Sequence, residues 1–256
     1  MSLIGRKICV EIDGTKILNG IDFNAPEGSL IGILGPSGSG KSTLMMALSG
    51  MRPPTSGSVT LSGRDLIKEF ESLKEKIGFV PQDDIVPTAL KVERVLGYAA
   101  ELRLEKLSSE ERKVRVEDTI RKLGLSERRK LRVSKLSGGQ RKRVNVGVEL
   151  LSKPELLFAD EPTSGLDPAL EKSLTQTFRQ LADEGSIVII TTHVMTSLSL
   201  YDSLCLIVKG KLAYFGPPAE IKSYFKVDDF SEIYTRLADK SPAEWNAQFS
   251  KSSYHL

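Results

Sequence analysis

A glycine-rich stretch near the start of the chain has the residue types and spacing of a phosphate-binding loop. Residues 35–43 fit the pattern G-x-x-x-x-G-K-[ST], in which glycines let successive backbone N–H groups turn inward toward phosphates. An apolar strand predicted at 29–34 precedes the loop, and a helix predicted at 43–48 follows it, so the positive end of a helix adds to the attraction. The pattern predicts that Lys41 bridges the β- and γ-phosphates of a nucleotide and that the Ser42 hydroxyl ligates Mg²⁺.

Two carboxylates at the end of a predicted strand form a second candidate group. Residues 156–159 are apolar and run directly into Asp160 and Glu161. Acids at the carboxyl end of such a strand can reach the Mg²⁺ of a nucleotide in a neighbouring phosphate-binding loop. We therefore predict that Asp160 joins the Mg²⁺ shell and that Glu161 polarises the attacking water. A solvated pair of surface acids is the alternative.

A third motif precedes another predicted helix. Residues 136–140 are Leu-Ser-Gly-Gly-Gln, and Ser137 is a good N-cap for a helix predicted over 141–151. The residues alone leave two interpretations: a capped helix start with two glycines in a tight turn, or a second set of backbone N–H groups that binds a γ-phosphate. Because residues 35–43 already hold that phosphate, the second interpretation requires that the motif face a nucleotide bound to another subunit.

The elements around these motifs predict an α/β protein. An antiparallel β layer is predicted first, with a hairpin turn at Asp13-Gly14. From about residue 83 to 154 the pattern becomes helical, and Ser108 with Glu111 predicts a capping box. The predicted antiparallel layer comprises strands at 8–12, 16–18 and 21–24. Further strands are predicted at 58–61, 77–80, 186–191, 204–208 and 211–215. Helices are predicted at 109–123 and 168–182. Residues 216–256 form a polar segment that contains Trp245, the only tryptophan.

The composition is that of an ordinary globular protein. Lys and Arg number 36 against 33 Asp and Glu, the net charge is +3, and 40% of residues are hydrophobic, so collagen-like, disordered and nucleic-acid-binding compositions are excluded. Cys9 and Cys205 lack a partner at zinc-site spacing, which favours a reducing compartment. The apolar runs are too short to cross a membrane, and the charged N-terminus is not typical of a signal peptide. The basic cluster at 128–132 has no interleaved aromatics, which favours a solvated helical face over a nucleic-acid or lipid-headgroup patch.

The motifs together resemble the ATP-binding cassette of ABC transporters. The resemblance covers about residues 8–215 and also includes Gln82 after a predicted strand, Ser-Gly-Leu-Asp at 164–167, and His193, all in the family's order. Residues 78–84 and 142–151 are similar to G-type exporters and their bacterial relatives, in which membrane helices often follow the cassette. This chain would then be one domain cut from a longer protein.

The resemblance implies a P-loop NTPase (RecA-like) core with an N-terminal antiparallel β subdomain and a helical insertion that carries the signature motif. The cassette would span 1–215, with its helical subdomain at 83–153. Residues 216–256 would form a C-terminal tail or a linker toward a missing membrane domain.

The resemblance also implies roles for individual residues. Gln82 would join Ser42 and Asp160 at Mg²⁺, and Glu161 would be the general base. His193 would contact the γ-phosphate, and Asp167 would lie at the seam between two cassettes. The ATP-binding set would be Gly35, Pro36, Ser37, Gly38, Ser39, Gly40, Lys41, Ser42, Thr43 and Ile12. The signature set that closes over the partner's ATP would be Leu136, Ser137, Gly138, Gly139 and Gln140.

One position departs from the family's pattern. Such cassettes usually place an aromatic near the end of the first strand to stack on adenine, and residues 8–12 contain none. Stacking on a base is worth about 1–3 kcal/mol. Ile12 would supply apolar contact in its place, and the choice of ATP over GTP follows from the family alone.

The implied function is an ATP-binding and ATP-hydrolysing motor domain of an exporter. Two copies would sandwich two ATP molecules with Mg²⁺ and drive a permease domain, fused in the full-length protein, from the cytoplasmic side of the inner membrane. No nucleic-acid partner is expected. The alternatives are a non-transport ABC-type ATPase of DNA repair or translation, and a nucleotide-gated interaction module that docks through the segment from Gly216. Truncation at Gly216 would identify the interaction module by loss of partner binding with ATPase activity retained.

Overall fold

The computed structural model describes residues 1–193 and 196–252. The strands are β1 (Ser2–Ile12), β2 (Thr15–Pro26), β3 (Leu30–Leu34), β4 (Ser56–Leu61), β5 (Arg64–Asp65), β6 (Ile77–Val80), β7 (Leu156–Asp160), β8 (Ile187–Thr191), β9 (Ser203–Val208) and β10 (Lys211–Gly216). The helices are α1 (Lys41–Leu48), α2 (Phe70–Leu73), α3 (Val92–Arg103), α4 (Ser109–Lys122), α5 (Gly138–Leu150), α6 (Pro168–Asp183), α7 (Pro218–Phe225), α8 (Glu232–Arg236) and α9 (Pro242–Ser250).

The main sheet has six strands in the order β10-β9-β3-β8-β7-β6. All neighbouring pairs are parallel except β10, which returns antiparallel to β9. Every residue of β3, β7 and β8 is buried, because one hydrophobic cluster with the helices covers one face and a second cluster with the N-terminal strands covers the other. The carboxyl ends of these strands meet at one edge, so the loops that follow them lie close together.

The N-terminal strands form a second, antiparallel sheet in the order β2-β1-β4-β5, which confirms the predicted β layer. Asp13 and Gly14 turn the β1–β2 hairpin with φ angles of 50° and 75°. The strands predicted at 16–18 and 21–24 are parts of the single strand β2. The prediction divided them because the β1–β2 pairing contains register shifts, and these β-bulges interrupt the alternation of apolar residues.

The helical insertion contains α3, α4 and α5. Ser108 and Glu111 form the predicted capping box at the start of α4. Helix α5 begins at Gly138, three residues before the predicted start. The reason is that Ser137 and Gln140 form a second capping box, so the two glycines make the first helical turn.

Residues beyond β10 pack onto the core. The Trp245 side chain is buried, and its indole N–H donates to the Leu237 carbonyl oxygen at 3.1 Å. Asn246 Nδ2 donates to the carbonyl oxygen of Leu212 in β10 at 2.9 Å. The Phe225 and Trp245 ring centroids are 5.0 Å apart. The segment predicted as a tail therefore forms part of the packed domain as far as residue 252, and the predicted connection to a membrane domain stays a prediction.

Both cysteines carry free thiols, and Cys205 is buried. Burial raises the pKa of the Cys205 thiol far above its ordinary value. Across residues 1–193 and 196–252, no three His, Cys, Asp or Glu side chains are grouped as a metal site would need. Over the same ranges, no helix has both the length and the apolar character to cross a bilayer.

Candidate functional site

The phosphate-binding loop connects β3 to α1 and depends on its glycines. Gly35 and Gly40 have φ angles of 149° and 105°, and a Cβ at Gly35 would lie 2.3 Å from the Ile207 carbonyl oxygen. Helix α1 has no side-chain cap, so its first backbone N–H groups face outward for an anion. Lys41 Nζ donates to the carbonyl oxygens of Gly35 at 2.9 Å and Pro36 at 3.2 Å. The loop is therefore a preformed anion cradle with the Lys41 ammonium inside it.

Thr191, at the end of β8, organises the neighbouring carboxylates. Its hydroxyl donates to Asp160 Oδ1 and accepts a hydrogen bond from the backbone N–H of Glu161 at 2.8 Å. Glu161 has a φ of 44°, which is an uncommon conformation for a residue with a side chain. Its Oε2 lies 3.4 Å from Nδ1 of His193. Thr191 thus fixes the backbone at Glu161, whose carboxylate lies beside the histidine.

An open cavity of about 800 Å³ lies at this edge of the main sheet. It brings together residues from the phosphate-binding loop, from the loop after β6, and from the ends of β7 and β8. Its lining is Gly35, Pro36, Ser37, Gly38, Gly40, Lys41, Ser42, Thr43, Gln82, Glu161 and His193, with Ile17 and Tyr234 in addition. One cavity is therefore lined by an ammonium, an amide, a carboxylate and an imidazole, from Lys41, Gln82, Glu161 and His193.

Three of the residues predicted to bind ATP or Mg²⁺ within one chain do not line this cavity. Ser39 lies behind the loop, where its carbonyl oxygen accepts from the Gly210 N–H at 2.9 Å. Asp160 is buried at the end of β7. Ile12 lies on β1, whereas the hairpin presents Ile17, from β2, to the cavity. The predicted contact between Ile12 and adenine stays a prediction.

Sequence reasoning missed three residues at the site: Thr191, Ile17 and Tyr234. Thr191 carried a usable signal, because it ends a predicted strand at the same sheet edge as Asp160. Ile17 lies close to a register shift in the hairpin. The shift breaks the alternation from which the orientation of the Ile17 side chain could be predicted. Tyr234 lies far along the chain in α8 and reaches the cavity only through tertiary packing, so no local pattern marks it.

A row of polar side chains on α5 holds the loop that contains Gln82. Lys142, Asn145 and Glu149 are buried and spaced three and four residues apart, so they share one helix face. Their partners are the Gln82 carbonyl oxygen for Lys142, Asp84 and the Ile85 N–H for Asn145, and the Phe79 N–H and Arg103 for Glu149. The helix that begins with the signature motif is therefore fastened to the strand-to-loop segment that carries the cavity's glutamine.

The signature motif itself lies away from the cavity. Ser137 Oγ accepts from the Gln140 N–H at 3.3 Å, and Gln140 Oε1 accepts from the Ser137 N–H at 3.1 Å. Ser137 and Gly138 are exposed, and a Cβ at Gly138 would meet no atom within 4 Å. None of residues 136–140 lines the cavity around Lys41. The chain therefore leaves this helix start open to solvent.

Asp167 is the N-cap of α6. Its Oδ1 accepts from the backbone N–H groups of Ala169 at 3.1 Å and Leu170 at 3.0 Å. Leu166, which precedes Asp167, packs against Gly139. A Cβ added at Gly139 would lie only 2.7 Å from the Leu166 side chain. The start of α6 and the start of α5 are therefore packed together.

The sequence matches known proteins over most of its length. A family model described as ABC transporter matches residues 18–164. An ABC transporter ATP-binding/permease protein of Mycobacterium tuberculosis is 44% identical over 241 residues, which are 93% of this chain and 28% of that protein. ABC transporter G family member 22 of Arabidopsis thaliana is 40% identical over 220 residues, 82% of this chain and 29% of that protein. The chain spans less than a third of the length of these two relatives.

The fold also matches a solved structure. That structure is described as a dimeric post-hydrolysis state of an ATP-binding cassette bound to ADP and Pi. The TM-score is 0.75 at 24% identity, over 84% of this chain and 98% of that chain. The likeness confirms the predicted α/β P-loop core.

Proposed function

This chain belongs to the ABC transporter family and is an ABC-type ATPase domain, and we propose that it binds and hydrolyses ATP in the cavity around Lys41. The observation that carries the proposal is that Lys41, Gln82, Glu161 and His193, from four separate segments, line one cavity. A cation at a glycine-rich helix start attracts phosphates, while a carboxylate opposite it activates water.

The oxygen donors around the loop suit Mg²⁺. Ser42 and Gln82 line the cavity, and Asp160 ends β7 directly before Glu161, which also lines it. Mg²⁺ prefers oxygen ligands. We assign Ser42, Gln82 and Asp160 to its shell, with Thr191 holding the Asp160 carboxylate in place. Bound there with ATP, the metal supplies charge neutralisation at the β- and γ-phosphates.

Glu161 is the general base in this proposal. Its backbone is fixed by Thr191 and its side chain is only 19% exposed, so the carboxylate is held with few alternative positions. The carboxylate takes a proton from the attacking water as that water approaches the γ-phosphorus. His193 lies beside the same carboxylate and contacts the γ-phosphate, and Lys41 balances the phosphate charge.

The signature motif serves a second copy of the chain. Residues 137–140 present a helix N-terminus to solvent and take no part in their own cavity. Two chains in an antiparallel pair would each close the other's ATP, with Asp167 at the seam. The structural relative described as a dimer bound to ADP and Pi supports pairing of two such domains.

A membrane permease domain is the further partner. The relative from Mycobacterium tuberculosis is named as an ATP-binding/permease protein. The helical insertion exposes large apolar side chains, Tyr98, Leu102 and Val114 at 47%, 77% and 64%, and exposed apolar patches are typical of partner surfaces. We propose that residues 83–153 contact the permease on the cytoplasmic side of the membrane and that hydrolysis drives export.

Glu161→Gln tests the proposed chemistry. The amide keeps the size of the side chain and cannot accept the water proton, so kcat should fall about 10²–10⁴-fold. The Kd for ATP with Mg²⁺ should stay within about threefold, because the loop N–H groups and the Lys41 ammonium that bind the phosphates are unchanged. Steady-state phosphate release and calorimetric titration measure the two quantities, with Lys106→Ala, an exposed change outside the cavity, as the control. Hydrolysis at the wild-type rate would overturn the role of Glu161.

A further inference from the structure

A buried carboxylate on α6 is not used by the chemistry proposed above. Glu171 is only 4% exposed and does not line the cavity around Lys41, although acidic side chains are rarely buried without a partner. Its Oε1 accepts a hydrogen bond from the Thr175 hydroxyl at 3.2 Å. Its Oε2 accepts from the hydroxyls of Thr196 at 2.9 Å and Ser197 at 2.7 Å. Within residues 1–193 and 196–252 it forms no ion pair, so hydroxyls rather than a cation hold the carboxylate.

Packing alone does not require an acid at this position. Removing a carboxylate from water is unfavourable, and the three hydroxyls together with the positive end of α6 offset that cost. An apolar side chain of similar size would fill the same space without a charge to stabilise. What the carboxylate adds is a connection, because one of its oxygens joins α6 to two residues of a different segment of the chain.

The two residues on this oxygen follow His193 closely in the chain. Thr196 is the third residue after the histidine, and Ser197 is the fourth. On the other side of the histidine, the Thr192 N–H donates at 3.1 Å to the carbonyl oxygen of Ile33 in β3, the strand that precedes the phosphate-binding loop. Because three residues of chain span at most about 11 Å, the two anchors together restrict where His193 can lie.

The imidazole depends on this backbone support because its side-chain contact in the cavity is weak. The His193 side chain is 54% exposed, and its Nδ1 lies 3.4 Å from Glu161 Oε2, which is longer than an ordinary hydrogen bond. A functional group must be held within about 0.5 Å of its productive position. For a half-exposed side chain, that precision has to come from the chain on either side of it.

We propose that Glu171 is a positioning residue for His193: by binding Thr196 and Ser197 it fixes the chain that follows the histidine onto α6, and so places the imidazole against the γ-phosphate. The inference rests on the role of His193 proposed above. Helix α6 has its N-cap at Asp167, the residue assigned to the seam between two chains. The same contact therefore joins the histidine to the helix that a partner chain would touch.

Ser197→Ala and Thr175→Val form a matched pair of variants. Each removes one hydroxyl that donates to the same buried carboxylate, so both should lower the melting temperature, but only Ser197 belongs to the segment that follows His193. We expect kcat to fall about fivefold in Ser197→Ala and to stay within about twofold of wild type in Thr175→Val. The Kd for ADP should stay within about twofold in both, because ADP lacks the γ-phosphate. Equal kcat values in the two variants would overturn the inference.

Glu171→Ala removes the anchor entirely and is measured with and without His193→Ala in single-turnover hydrolysis. Alone it should lower the rate at least about tenfold. On the His193→Ala background it should add less than about twofold, because the two changes disable one contact. Losses that multiply would show that Glu171 acts elsewhere and would leave the proposed function intact. If His193→Ala itself hydrolyses at the wild-type rate, the proposed role of His193 fails and this inference fails with it. Where Glu171→Ala does not fold, the matched pair decides.

Discussion

The cavity around Lys41 and the helix start at residues 137–140 both direct backbone N–H groups at a prospective anion, but they differ in what accompanies those groups. The cavity combines its cradle with a lysine, a carboxylate and an imidazole from four segments. The signature helix offers a capped N-terminus and no acid or base of its own. In the proposed dimer, this difference means that one chain would supply the reactive groups of one ATP site and the helix start that closes another.

Lys41→Ala has the largest expected effect on ATP binding, and it alters only the cavity around Lys41. The ammonium-to-phosphate contact is worth about 1.5–3 kcal/mol, so ATP affinity should fall about 10- to 100-fold. Calorimetric titration with ATP and Mg²⁺ measures the loss, and Lys106→Ala is the control. Affinity within about twofold of wild type would show that the loop does not bind the phosphates.

Gly138→Asp alters only the helix start at residues 137–140, which we propose closes the ATP site of the partner chain. The position is the first residue of α5 and has open space around it, and an acid in the first turn of a helix is favourable by about 0.3–1 kcal/mol. The melting temperature and ATP affinity should therefore hold, while the carboxylate repels the partner's γ-phosphate and lowers ATPase activity at least about tenfold.

The control for Gly138→Asp is Ser109→Asp, which places the same charge at the first residue of α4. That variant should keep its activity. A Gly138→Asp protein with normal ATPase activity would mean that residues 137–140 do not face a phosphate in the working state.

Asp167 gives the smallest expected effect and distinguishes its two roles. Asp167→Ala removes the N-cap of α6 and should lower the free energy of unfolding by about 1 kcal/mol, whereas Asp167→Asn keeps a capping oxygen and should change it little. Urea denaturation measures both. If Asp167 also lies at the dimer seam, the stable Asn variant should still lose ATPase activity several-fold; equal destabilisation of both variants would contradict the cap assignment.

Local patterns predicted the parts of the site that one strand, loop or helix builds. Residues 35–43 and the Asp160-Glu161 pair follow strands that are apolar because both faces are buried. Gln82 and His193 were assigned by resemblance, and the structure brings both to the cavity. The confirmed α/β fold follows from the same alternation of buried strands and helices.

Features that depend on pairing or distant packing were not predictable. The register shifts between β1 and β2 conceal which hairpin residue faces the cavity, so the sequence carried no signal for Ile17. Tyr234 reaches the cavity through the packing of α8 against the core, and a polar segment gives no periodic signal for that. Helix α5 starts earlier than predicted because Gln140 and Ser137 form a capping box. The sequence prediction used Ser137 as a cap and did not include Gln140 as its partner.

The proposed dimer, in which each chain closes its partner's ATP site, is tested most directly by the molar mass of Glu161→Gln in solution. The mass is measured with and without ATP and Mg²⁺. Light scattering should find a monomer without nucleotide and a dimer at saturating ATP, because slow hydrolysis traps the closed pair, and Glu161→Gln combined with Gly138→Asp should remain a monomer. A Glu161→Gln protein that binds ATP by calorimetry and yet stays monomeric would contradict the claim that each chain closes its partner's site.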